Sequence, residues 1–130
     1  MSKKAFSKYH AKKVLYDGIT FDSQKEKDRY CELKLLERAG KIQNLQLQVP
    51  FVLIPAQYEE IKTVTKTGKE KIEKKLIERK TIYKADFVYQ KNGEIVVEDV
   101  KGYRESNAYN LFALKRKLML WLHNIKIVEI

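Results

Sequence analysis

Apolar side chains recur at helical spacing between Phe21 and Gly40, with Tyr30, Leu33 and Leu36 forming one stripe. Ser23 stands where an N-cap belongs, and Glu26 follows three residues later. Gly40 closes the segment as a helix-ending glycine. The period then changes from helical to alternating. Leu45, Leu47, Val49 and Phe51 fall on one face of a strand, and Gln46 and Gln48 on the other. Pro50 within that strand predicts an edge position or a bulge. Two further strands, "TIYKADFVYQ" and "EIVVEDVK", meet at Asn92-Gly93, a strong hairpin signal. A second helix reads through "SNAYNLFALKRKLMLWLHN", capped by Ser106 or Asn107 and stopped at Asn124. Its expected inner side carries Ala108, Leu111, Phe112, Met119 and Leu122, with Trp121 also in the core. A short strand, "IKIVEI", ends the chain.

Two segments stand outside that pattern. Residues 1–13 form a basic arm of low hydrophobicity, and Asp17-Gly18 then marks a tight turn. Residues 58–81 carry eight Lys and Arg between Lys62 and Lys80 and few apolar positions. Gly68 there suggests a hairpin tip, while Ile72, Leu76 and Ile77 equally support a helical turn. The segment reads as a basic insertion in a single domain spanning residues 14–130. The predicted class is α/β, a central mixed sheet flanked by helices in the order αβ(insertion)ββαβ.

Composition adds a partner class. Lys and Arg number 27 against 17 Asp and Glu, a formal charge of +10. Such an excess on a small domain points to a polyanion, with nucleic acid first. The one cysteine, Cys31, excludes an intramolecular disulfide and a multi-cysteine zinc site, and reads as a small packing residue. No apolar run reaches the ~20 residues of a membrane span. With no signal peptide visible in "MSKKAFSKYHAKK", a cytoplasmic location is expected.

The chemistry concentrates in "ADFVYQKNGEIVVEDVKGYRE". Side chains two apart in a strand share a face, so Ile95, Val97, Asp99 and Lys101 point one way. Glu98 then turns to solvent or to a basic neighbour. Asp86, near the start of the partner strand, approaches Asp99 across the hairpin. Two half-buried carboxylates repel unless something positive lies between them. A divalent cation meets that need; Mg²⁺ takes oxygen ligands, often one or two carboxylates. The carbonyl of Val100 could supply another oxygen, and Lys101 would stand ready to orient a water or offset charge on a phosphate.

Asp86, twelve residues, then Asp99-Val100-Lys101-Gly102 resembles the D…(D/E)-x-K signature of the PD-(D/E)xK nuclease superfamily. Ala85 replaces the proline of its nominal form. Glu26 corresponds to the acidic residue on an N-terminal helix, and the element order is similar to a restriction-endonuclease-like core. "DGITFDSQKEKDRYCELKLLERAGKI", "ADFVY" and "EDVKG" further resemble small phage-encoded nuclease-like proteins compared with Holliday junction resolvases. The resemblance implies phage or prophage origin and Mg²⁺- or Mn²⁺-dependent endonucleolytic cleavage of DNA. Asp86, Asp99, Val100 and Glu26 would hold metal, and Lys101 would serve catalysis. Branched DNA is a further implication, and paired cuts on a junction would need a homodimer.

Each residue also has a plainer reading. Asp86 alone could pair with Lys84 or Lys101, and Glu26 fits a capping box as well as a ligand role. Gln48 is either a solvated strand residue or part of a substrate groove. Lys115 either reaches phosphate or snorkels along the core edge. The expected DNA contacts are Lys12 and Lys13 of the arm, Gln48, the insertion lysines Lys69, Lys71, Lys74 and Lys75, and Arg104 and Lys115. Two other readings stay open: a non-catalytic DNA-binding protein on a nuclease fold, and a ribonuclease.

Overall fold

A computed structural model describes residues 12–102 and 104–130. The arm lysines before Lys12, and Tyr103, lie outside the described residues. Two short strands, β1 (Val14–Tyr16) and β2 (Ile19–Phe21), pair antiparallel around Asp17 and Gly18. Both turn residues have positive φ, 54° and 73°, as a two-residue hairpin turn demands. Helix α1 (Gln24–Arg38) follows. Ser23 Oγ accepts the Glu26 N–H at 3.1 Å, the N-cap bond. At the other end Gly40 adopts φ 74°, and the N–H groups of Gly40 and Lys41 bond the carbonyls of Glu37 and Leu36. That double closure is a Schellman stop, which the left-handed glycine permits.

A four-stranded sheet takes the order β3-β6-β7-β8, from β3 (Gln43–Ile54), β6 (Thr81–Lys91), β7 (Glu94–Asp99) and β8 (Val128–Glu129). β6 and β7 are antiparallel, joined at Asn92-Gly93, where Lys91 faces Glu94. β7 and β8 are parallel, with Glu98 opposite Val128 and Asp99 opposite Glu129. A parallel neighbour needs a long crossover, and α2 (Asn107–His123) supplies it. Ser106 is the cap of α2, its Oγ accepting the Tyr109 N–H, and Asn124 ends it at φ 54°. Among the described residues the fold is therefore α/β, with a mixed sheet and two helices. β3 lies at the sheet edge, where Pro50 is tolerated.

The chain divides into two compact units. One runs up to Val49 and resumes from Ala85 to Ile130; the other is Pro50–Lys84. In the first, α1 packs on the sheet face carrying Phe87 and Tyr89. Phe21, Tyr30, Leu33 and Ile42 complete that core, with Cys31, Leu45, Leu47 and Val96 at its margin. The opposite face carries Asp86, Val97 and Asp99. Lys101 Nζ, bonded to Asp99, sits 3.7 Å from the centre of the Phe112 ring on α2, so α2 meets that face.

The second unit contains a hairpin of β4 (Gln57–Val64) and β5 (Glu70–Glu78), with Gly68 at its tip. Of the two readings of residues 58–81, the hairpin is the one adopted. Ile72, Leu76 and Ile77 lie on β5 and are exposed. Phe51 stacks with Tyr83 at 6.4 Å in the same unit.

Several expected core positions are corrected. Trp121 is 80% exposed, and Leu111, Leu122 and Ala108 also face outward. The buried residues of α2 are Phe112 and Met119, seven apart, so its inner stripe is narrower than the apolar composition suggests. Leu36 on α1 and Ile95 at the start of β7 are likewise exposed. Among the described residues no helix is long and apolar enough to cross a membrane.

Candidate active site

Three carboxylates and a lysine gather where α1 begins and β6 and β7 meet. Glu26 lies in the first turn of α1, held there by the Ser23 cap, and is only 5% exposed. Asp99 ends β7 and is 4% exposed. The register that sets Phe87 opposite Glu98 carries Asp86 to the level of Asp99. Asp86 Oδ2 accepts the Val100 N–H at 2.9 Å, and its Oδ1 accepts from Gln48 Nε2 at 3.3 Å. The same Gln48 amide donates to Glu26 Oε1 at 3.1 Å. Gln48 thus bridges the two acids. It does so from a backbone with φ 53°, a conformation that costs a non-glycine residue about 1–3 kcal/mol.

Lys101 completes the group. Its ammonium lies 2.7 Å from Asp99 Oδ1, over the face of Phe112. Its backbone is fixed on both sides: its carbonyl accepts from Lys25 Nζ at 2.7 Å, and its N–H donates to Ile130 O at 3.2 Å. Ile130 N–H in turn donates to Asp99 O at 2.9 Å, so the segment after β7 is tied to the last residue of the chain.

The acids crowd one another. Burial, then the charge of Asp86, pushes the Glu26 carboxyl up to about 7. Asp22 and Asp99 add to that push, while a backbone hydrogen bond at Asp22 opposes it. Burial, then Asp99, raises Asp86 to about 6 against the lowering effect of Val100 N–H, Gln48 and Lys101. Two carboxyls displaced toward neutrality by burial and by neighbouring acids mark a place short of positive charge.

Behind the site, Glu98 points to α1. It is 1% exposed and receives both Arg29 Nε and Arg29 Nη2 at 2.7 Å, with Tyr89 OH donating to the same carboxylate. Of the two expectations for Glu98, the basic neighbour is realised, and solvent is not. Sequence reasoning missed Arg29 and Lys25. The signal for Arg29 was the pair Glu98-Asp99: adjacent acids on opposite faces place one beneath the helix, where it requires a cation.

The structure brings together Glu26, Asp86, Asp99, Lys101 and Gln48. Val100 engages Asp86 through its N–H. Arg104 turns instead to Glu129 at 3.9 Å, and Lys115 is half-buried on α2. Lys12 and Lys13 are exposed ahead of β1. In the other unit, Lys69, Lys71, Lys74 and Lys75 are exposed on and beside β5. Lys71 pairs with Glu73 at 3.2 Å, and Lys74 and Lys75 stand opposite Glu60 and Glu59.

Among the described residues no group of three or more His, Cys, Asp and Glu side chains is arranged to hold a metal ion. Gln48 spans two of the acids, and the Lys101 ammonium takes the third. The donors are nonetheless of the kind a hard divalent cation takes, carboxylate oxygens whose mutual repulsion is incompletely offset.

A family model described as "Protein of unknown function (DUF1064)" matches residues 6–127. The chain belongs to DUF1064. No curated protein and no solved structure matches it. The DUF1064 match spans Glu26, Gln48, Asp86, Asp99 and Lys101, and both compact units.

Proposed function

We propose that this DUF1064 protein is a Mg²⁺- or Mn²⁺-dependent DNA endonuclease on a restriction-endonuclease-like core of the PD-(D/E)xK type. The observation that carries the reading is the convergence of Glu26, Asp86 and Asp99 with Lys101, two of the acids pushed up to about 7 and about 6. The mixed sheet with its β7-α2-β8 crossover is compatible with that core. Asp86, Asp99, Glu26 and the Val100 carbonyl would hold the ion. Such an ion supplies charge neutralisation at a phosphate and a more acidic water. Lys101 is fixed through its backbone and leans on Phe112. Its ammonium can orient a nucleophilic water or meet charge on a phosphate oxygen. The surplus of basic residues would grip the phosphate backbone, a contact that reads shape rather than bases.

The direct test is nicking of supercoiled plasmid with Mg²⁺ present. Asp86→Asn and Asp99→Asn should abolish nicking while DNA binding survives. A folded variant that nicks at the parent rate would refute the site. Linear, flapped and four-way DNA at one ionic strength then ask whether branched DNA is preferred, and sedimentation on the junction asks for a dimer. A second reading, a non-catalytic DNA-binding protein on the same fold, draws on the Lys101–Asp99 pair and the Gln48 bridge, which partly satisfy the acids without a metal. It predicts binding with no nicking by the parent protein. Matched RNA and DNA substrates separate the ribonuclease alternative.

A further inference from the structure

α2 and the segment around β8 form an open cavity of about 310 Å³ lined by Arg116, Lys117, Leu120, Lys126, Ile127 and Glu129. It carries three cations and one carboxylate. The carboxylate is already engaged: Glu129 accepts from Tyr109 OH at 2.7 Å and Arg116 Nη1 at 3.2 Å, with Arg104 at 3.9 Å. These partners hold Glu129 below the usual carboxylate range, Tyr109 first. Lys117 and Lys126 are left with no ion pair among the described residues. Leu120 and Ile127 give the cavity an apolar wall. A volume near 300 Å³ lies at the small end of ligand sites. Unpaired ammonium groups beside an apolar wall suit a sugar-phosphate unit.

The location matters as much as the lining. Glu129 is the strand partner of Asp99. Along α2, Arg116 follows Phe112 by four residues, about 6 Å, and Phe112 carries the Lys101 ammonium on its ring. The cavity therefore begins about one helical turn along α2 from the ring that carries the Lys101 ammonium.

We propose that this cavity is a backbone subsite for the DNA strand being cut, with Lys117 and Lys126 on a phosphate flanking the scissile one and Leu120 and Ile127 against its sugar. The inference rests on the nuclease reading of the neighbouring acids. It extends that reading from the reacting phosphate to a specific flanking one.

The test is a binding measurement made in EDTA, so that it does not depend on cleavage. Fluorescence anisotropy of a labelled duplex is compared for the parent, Lys117→Gln/Lys126→Gln, and the control Lys41→Gln/Lys91→Gln, which removes the same charge from exposed positions elsewhere. The subsite variant should bind about tenfold more weakly, the effect of removing one charge-assisted hydrogen bond. The control should change much less. Duplexes with a single neutral methylphosphonate are then scanned, and substitution at one phosphate should erase the difference between parent and subsite variant. Equal weakening in the two variants, or no phosphate position that couples, would overturn the proposal. So would micromolar binding of a free deoxynucleotide, abolished in the subsite variant, with duplex affinity unchanged; the cavity would then be a small-molecule site. Single-phosphate coupling without any metal-dependent nicking would overturn the nuclease reading and leave a DNA contact, so the two failures are distinguishable.

Discussion

Glu26 concentrates the site's tension in one side chain. Its carboxyl sits at about 7 in the folded chain against an ordinary 4.5, and Asp86 at about 6 against 3.8. Between those values the folded state holds protons that the unfolded state has released. The stability these groups contribute is complete below their unfolded values and is lost as pH rises through the folded ones. The metal-free protein should thus lose stability from about pH 4 to pH 7. Glu26→Gln keeps a polar side chain and removes the charge. Its thermal midpoint should equal or exceed the parent's at pH 8 and lose that advantage at pH 4. Under the proposed nuclease function the same substitution should lower the nicking rate sharply, since a carboxylate that holds the ion would need its charge. Excess Mg²⁺ should raise the parent's midpoint at pH 8 more than the variant's. A parent midpoint that climbs steadily from pH 4 to pH 8 would contradict the crowding of Glu26 and Asp86. Ser23→Ala is the complementary change, removing the N-cap bond at a cost of about 0.5–2 kcal/mol with the site's charges intact.

At the scale of elements, α1 and β7 are joined by a buried ion pair. Arg29 is one turn beyond Glu26, and Glu98 is next to Asp99, so the two-pronged Arg29–Glu98 bond also sets how the acids face each other. Arg29→Met would leave Glu98 buried without its cation, a loss of about 3–5 kcal/mol in chemical denaturation. Arg29→Met/Glu98→Met should recover much of that loss, because the buried pair must overcome its own desolvation. A single Arg29→Met variant as stable as the parent would show the pair to be dispensable. This contact also marks the limit of what the sequence discloses. Local chemistry was readable: Ser23 and Gly40 delimit α1, Asn92-Gly93 turns the hairpin, and alternation from Leu45 to Phe51 orients β3. The hairpin pairing of Asp86 with Asp99 followed from the same local signals. Arg29 and Glu98 are 69 residues apart, and no local pattern pairs them. The bridge from Gln48 to Glu26 and Asp86 depends on a left-handed backbone inside a strand, which residue type does not announce. Trp121 was misplaced because apolar composition marks a helix face as coverable, while the sheet here covers only the stripe of Phe112 and Met119.

For the whole molecule, the formal charge of +10 overstates what the β4–β5 hairpin can offer a polyanion. Lys74 and Lys75 stand directly opposite Glu60 and Glu59, and Lys71 pairs with Glu73. Cross-strand opposite charges stabilise a hairpin by a few tenths of a kcal/mol to about 1 kcal/mol each, and they also lower the field that DNA would meet. Lys69, beside the tip, has its N–H on Thr65 Oγ1 and no acid facing it across the ladder. The hairpin's affinity should therefore respond to its glutamates as well as its lysines. Neutralising Lys69, Lys71, Lys74 and Lys75 together should weaken binding to all DNA sequences. It should also flatten the log–log salt dependence by about 0.9 for each duplex phosphate that is no longer neutralised. Glu59→Gln/Glu60→Gln should act in the opposite sense, tightening binding at low salt because two negative charges facing Lys74 and Lys75 across the ladder are removed. Equilibrium titrations across a salt series measure both slopes on one duplex. Unchanged slopes in both variants would place the DNA on the other unit. A weaker complex after removing the glutamates would mean that the cross-strand pairs hold the hairpin in shape, and that its fold matters more to binding than its charge.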